Sequence, residues 1–188
     1  MSLFTSNREK RLWILVFVVV VTIYSTVGLM WKIAATLHNY DLLAVFFVTG
    51  MLLVGATIVT QGLTVRPGGT EIVITLGLIA TFFMAATRIT LLEERSHLIE
   101  YSIVAVFIYE ALKERKSHGP YVPNPALIAI IATSIIGIID EAIQAFLPGR
   151  VFDPQDISFN ILAAIFAIIA SLVLSWFRKW IRKRKEAK

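Results

Sequence analysis

Residues 126–146 read ALIAIIATSIIGIIDEAIQAF, an apolar run that closes on Asp140, Glu141 and Gln144. Its length decides the fold, because a helix needs roughly 20 residues to cross ~30 Å of hydrocarbon. Its polar end decides how that helix must pack. An ionised side chain costs ~2.5–3.5 kcal/mol or more at the bilayer centre and less near the interface, so such groups turn toward other helices.

Five further runs complete the pattern: Leu12–Met30, Leu42–Thr60, Ile72–Thr87, Leu98–Leu112 and Ile157–Phe177. The third and fourth in chain order are short and borrow flanking residues. The fourth extends toward Glu93–His97, which carries those polar residues into the start of its helix. The expectation is an all-α integral membrane protein, a six-helix transmembrane bundle. Of its 188 residues 57% are hydrophobic and 16% charged, which excludes an ordinary soluble domain. Residues 1–188 read as a single transmembrane domain with no room for a soluble ectodomain. There is no cysteine, so disulfides, thiolate metal sites and cysteine nucleophiles are excluded. The first run follows Arg8, Lys10 and Arg11 as a signal peptide would, but Trp31-Lys32 closes it where a cleavage site would need small residues. It reads as a retained helix.

Charge sets the orientation. With the N-terminus inside, 14 basic residues fall on the cytoplasmic side: Arg8, Lys10, Arg11, Arg66, Lys113, Arg115, Lys116 and seven in the tail 178–188. Only Lys32, Arg88, Arg95 and Arg150 fall outside. Positive-inside placement therefore puts both termini in the cytoplasm. The net charge of +5 is concentrated in that tail, a topology signal or anionic-lipid contact and not a nucleic-acid face. Trp13, Trp31, Trp176 and Trp180 lie at run ends, as interfacial anchors do.

This topology brings two polar clusters to the outer face. The first is Glu94-Arg95-Ser96-His97-Leu98-Ile99-Glu100-Tyr101. His97 and Glu100 are three apart and His97 and Tyr101 four apart, so they share a helical stripe. Glu93-Glu94-Arg95 also reads as a polar helix cap. A His beside a carboxylate suits acid–base work, ligand binding or metal ligation. The second cluster is Asp140, Glu141, Gln144, Pro148-Gly149-Arg150, Asp156 and Asn160. Pro148-Gly149 is expected to break the helix. Asp153-Pro154 reads as an N-cap followed by proline at the first helical position. Arg150 is a grip for phosphate or carboxylate, and equally a structural ion pair tying the hairpin. Were the clusters to meet, the carboxylates would need compensation from Arg95, Arg150, His97 or a bound divalent cation. The spacing matches no specific metal motif.

The string Asp140-Glu141-x-x-Gln144-x-x-x-Pro148-Gly149-Arg150, with Asp156 and Asn160 behind it, resembles the VanZ-like family. Glu94-Arg95-x-His97-x-x-Glu100-Tyr101 is similar to that family's other polar helix. The resemblance covers a core of about residues 93–171. Members often carry glycine shortly after the final Asn, where this chain has Ala163 and Ala164. The resemblance implies a bacterial or archaeal multi-pass protein of the cytoplasmic (inner) membrane, in a family whose name-giving member is associated with low-level teicoplanin resistance.

Two functions are open from the residues. One is an enzyme, hydrolase or transferase, acting at the outer leaflet on a lipid or lipid-linked phosphate. In it His97, Glu100, Asp140, Glu141 and Asp156 carry catalysis, and Arg150, Gln144, Asn160, Tyr101 and Arg95 bind the substrate. The other is a non-enzymatic protein that binds or shields against an amphiphilic ligand such as a lipopeptide or glycopeptide. A small transporter fits less well, because polarity is confined to one side. Membrane lipids are the expected partners.

Overall fold

The computed structural model describes residues 3–36, 77, 92–119, 121–147 and 152–186, without the side chains of 26–36, 92–96, 181, 182 and 185. The second apolar run, the third except Gly77, Arg150 and the side chain of Arg95 lie outside the described residues. Among these residues there are four long helices and no strand: α1 (Asn7–Thr36), α2 (Leu92–Ser117), α3 (Pro125–Gln144) and α4 (Pro154–Glu186). They contain the first, fourth and sixth runs and the fifth as far as Gln144. Helix α2 starts at Leu92, so the Glu93–His97 stretch is indeed helical.

The helix ends follow local chemistry. Asn124 caps α3, its side chain accepting from the Leu127 amide at 3.2 Å, and Pro125 occupies the first turn, where its missing N–H costs nothing. Asp153 does the same for α4: its Oδ1 accepts from the Gln155 amide at 2.8 Å, ahead of Pro154. Helix α3 ends at Gln144, before Pro148 and before the Phe146 limit of the apolar run. Its last turn tightens there, with amides of Phe146 and Leu147 bonding back three residues to Ile143 and Gln144.

Helix α3 is apolar outside and polar inside. Its buried residues are Ala129, Thr133, Gly137, Asp140, Glu141 and Gln144, spaced three and four apart on one face. The face with Leu127, Ile131, Ile135, Ile138 and Ile139 is exposed. A helix in water shows the reverse pattern, so the outer face is built for hydrocarbon. Helices α3 and α4 (over Pro154–Trp180) are each long and apolar enough to cross a membrane. Helix α1 exposes Ile14, Leu15, Phe17, Val18 and Val21 in the same way.

Helix α2 is the centre of the bundle and packs on the other three. It is buried almost continuously from Tyr101 to Ala111. Against it α4 presents Ala163, Ala164, Ala167 and Ala170, all buried, and small residues let helix backbones approach closely. The Ser102 hydroxyl reaches the Ala163 carbonyl at 3.4 Å. At Gly137 the approach of α3 to α4 is closer still, since a Cβ there would lie 2.9 Å from both Cβ and Nδ2 of Asn160.

Contacts fix the helix directions. Arg8 at the start of α1 meets Glu110 and Glu114 near the end of α2, so those helices are antiparallel. His97 near the start of α2 meets Asp140 near the end of α3 and Asp156 near the start of α4. Thus α2 and α4 run one way, α1 and α3 the other.

The two ends of the bundle differ in chemistry. At the end shared by α1 and α2, Arg8 bonds Glu114 at 2.9 Å and Glu110 at 3.2 Å, while Lys113 bonds Glu110 at 2.7 Å. Glu9 is fully buried, holds the Thr5 amide and hydroxyl at 2.7 Å each, and faces Arg115 at 3.4 Å. Burial pushes its carboxyl up, but the Thr5 bonds and the Arg115 guanidinium outweigh that and hold it below the usual carboxylate value. Beyond the core, α4 projects Arg184 over the Trp180 ring at 4.0 Å.

Candidate functional site

The opposite end is a carboxylate–imidazole centre. The spacing on α3 sets it up: Asp140 and Gln144 stand one turn apart, with Glu141 beside them. The Gln144 amide donates to Glu141 Oε1 at 3.0 Å and to Asp140 Oδ2 at 3.3 Å. It therefore holds the two acids side by side. The Asp153 backbone amide donates to Glu141 Oε2 at 3.3 Å, pinning the loop before α4 to the end of α3.

His97 enters from α2 between the acids. Its Nδ1 lies 3.8 Å from Asp140 Oδ2 and its Nε2 lies 3.8 Å from Asp156 Oδ2. The ring is buried and stacks on Tyr101, one helical turn on, with centroids 5.9 Å apart. Asp140 and Glu141 are wholly buried, and Asp156 nearly so. Ligand atoms of His97, Asp140 and Glu141 all lie within 4.8 Å of one another. Three helices thus bring an imidazole and three carboxylates into one space.

Around this centre lies a layer of buried polar groups. The Tyr101 hydroxyl, fully buried, sits beside Asp140 and makes no hydrogen bond of ordinary geometry among the described residues. Glu100 is half-buried on α2 within electrostatic reach of Asp140. The Asn160 amide and the Thr133 hydroxyl are also fully buried without such bonds among the described residues. Such groups are costly in a low-dielectric interior, and a polar ligand or water offers them partners.

The structure therefore unites His97, Asp140, Glu141, Gln144 and Asp156, with Tyr101, Glu100 and Asn160 around them. The placement of Arg95 and Arg150 in the site falls outside the described side chains. Gln144, expected as a substrate donor, is engaged in orienting Asp140 and Glu141. Tyr24 on α1 was not among the sequence candidates. Its hydroxyl donates to the Ile136 carbonyl at 2.9 Å and it lies within reach of Asp140. The spacing Thr133, Gly137, Asp140, Gln144 was the available signal for the depth of the polar face.

A helical bundle with lipid-suited outer faces and a buried polar centre is an integral membrane protein of the kind that builds its site between helices. This chain belongs to the VanZ/LLP1 family, whose model matches residues 4–176. The match extends well ahead of residues 93–171, where the recognisable motifs lie. No curated protein and no solved structure matches the chain.

Proposed function

We propose that this protein is a membrane-embedded enzyme that hydrolyses or transfers a lipid or lipid-linked phosphate at the outer leaflet. One observation carries the reading: a buried imidazole set between carboxylates from two other helices. An imidazole changes charge near neutral pH, and carboxylates stand 3.8 Å from both of its nitrogens. His97 then takes the proton of the attacking water or hydroxyl, with Asp140 and Asp156 orienting the ring. Glu141 and Glu100 belong to the same acidic centre. Arg150 and Arg95 grip the phosphate, and Tyr101 and Asn160 donate hydrogen bonds to it.

The proposed topology is six spans with both termini cytoplasmic. Helix α1 runs toward, and α2 starts at, the end that holds His97, which is the arrangement an even number of spans between them requires. The basic residues Arg8, Lys113, Arg115 and those of the tail gather at the other end, which suits a cytoplasmic face. An outward site also suits a link to teicoplanin resistance, because that drug acts on lipid-linked wall precursor at the outer leaflet.

The test is turnover in lipid nanodiscs, with phospholipids and lipid-linked wall precursors followed by mass spectrometry. Wild type forms a product, and His97→Ala and Arg150→Ala, each folded, lose it. Wild-type turnover in both variants sinks the proposal. Affinity for a glycopeptide without any turnover moves the assignment to a binding and shielding protein.

A further inference from the structure

We propose that the centre is a divalent-metal site, with His97 Nδ1, Asp140 and Glu141 as ligands and Asp156 facing the ring at Nε2. This deepens the enzymatic reading and rests on the same residues. An ion held there would supply Lewis-acid activation of the attacking water; His97 would then serve as its ligand, and a carboxylate of the same centre would accept the proton in place of His97.

The distances favour an ion over a hydrogen bond. The 3.8 Å from His97 Nδ1 to Asp140 Oδ2 is too long for a hydrogen bond. Two donors each ~2.1–2.3 Å from one ion are about 3.8 Å apart when they subtend roughly 110–130°, as in tetrahedral and five-coordinate sites. Ligand atoms of the three residues lie within 4.8 Å of one another, close to the roughly 4.2–4.5 Å that two donors on one first-row ion can span at most.

The surroundings are those of a metal site. A ligating His usually gives its other nitrogen to a carboxylate, and His97 Nε2 faces Asp156. Ligating carboxylates are themselves held, as Gln144 and the Asp153 amide hold Asp140 and Glu141. The Tyr101 hydroxyl, fully buried, also lies against Asp140 and so belongs to the groups that surround this ligand carboxylate. One imidazole with two carboxylates suits Zn²⁺ or Mn²⁺, whereas Mg²⁺ and Ca²⁺ prefer oxygen alone.

The experiment uses the full chain in nanodiscs, stripped with chelator and titrated with Mn²⁺ alone under pulsed electron paramagnetic resonance. Wild type is expected to bind about one ion per chain with a directly coupled imidazole nitrogen. Zn²⁺ should displace it. His97→Gln, Asp140→Asn and Glu141→Gln should each weaken binding at least ~10-fold, and Asp156→Asn ~10–100-fold. Glu110→Gln, which removes a buried acid at the other end of the bundle, should leave it unchanged. No nitrogen coupling in wild type overturns the proposal even if the variants fail to fold, as do variants that bind within ~2-fold of wild type. Turnover by protein that binds no Mn²⁺ refutes the metal and spares the enzyme. Bound Mn²⁺ with no turnover does the opposite.

Discussion

Gly137→Ala tests the packing that holds the polar centre together. A Cβ at 137 would stand 2.9 Å from Asn160 Cβ, 2.9 Å from its Nδ2 and 3.2 Å from its Cγ. Carbon atoms in comfortable contact are ~3.5–4.0 Å apart, so α3 and α4 must separate by roughly 0.6 Å or more. Asn160 is fully buried and its Cβ is fixed to the helix, so rotating its amide does not relieve the overlap. Overpacking of this kind costs ~1–3 kcal/mol. Two contacts at 2.9 Å against a Cβ fixed to its helix place this site in the upper part of that range, about 2–3 kcal/mol; replacing glycine within a helix returns up to ~1 kcal/mol, which leaves a net loss of about 1–2 kcal/mol. For a chain of this size that is a fall of about 2–8 °C in thermal midpoint. The wedge also acts one turn from Asp140 and one turn from Asp156, so turnover should fall more than stability. Scanning fluorimetry of the four tryptophans in detergent reads the first effect, and the nanodisc assay the second. Asn160→Gly removes all three clashing atoms except backbone, so the pair Gly137→Ala with Asn160→Gly should regain at least ~1 kcal/mol of coupling in a double-mutant cycle. A Gly137→Ala protein as stable as wild type, or a loss that Asn160→Gly does not relieve, refutes the close-approach reasoning.

Other predictions follow from the two ends of the bundle. The Glu9 carboxyl is held below its unfolded value near 4.5. Its contribution to stability is therefore complete above that pH and is lost as pH falls through the lower folded value. Thermal midpoints taken from pH 7 down to 3 should drop more steeply for wild type than for Glu9→Gln, and equal slopes would count against the buried pair with Arg115. Gln144→Leu removes both bonds that align Asp140 and Glu141. It should cut turnover at least ~10-fold while costing no more than ~1–3 kcal/mol of stability; unchanged turnover would show that the alignment is dispensable. The absence of cysteine makes orientation directly measurable. On intact cells an impermeant maleimide should label Phe152→Cys, beside the polar centre, and spare Tyr121→Cys at the opposite end; the reverse pattern would invert the proposed topology.

Local features were legible in the sequence because helix periodicity and capping depend on neighbours a turn apart. The early start of α2, the pairing of Asp140 with Gln144 and the Asp153-Pro154 entry to α4 all belong to this class. The C-terminus of α3 was misplaced because Pro148-Gly149 drew attention, whereas the helix already tightens at Gln144. Features that depend on how one helix is rotated against another were not legible. The Gly137–Asn160 contact, the Tyr24 bond to Ile136 and the division of the His97 nitrogens between Asp140 and Asp156 join residues from separate helices. Glu110 likewise has partners that its sequence neighbours only half reveal: Arg8 bridges it from across the bundle and Lys113 along its own helix.

The central claim is that one polar centre, open to the outer leaflet, acts on a lipid-borne phosphate. Proteoliposomes in which all molecules share one orientation test it most directly, with the lipid-linked substrate confined to a single leaflet and product followed by mass spectrometry. Product should form when the substrate lies in the leaflet at the His97 end and not when it lies in the other. Equal product from both leaflets, or none from either with folded protein, would contradict the account.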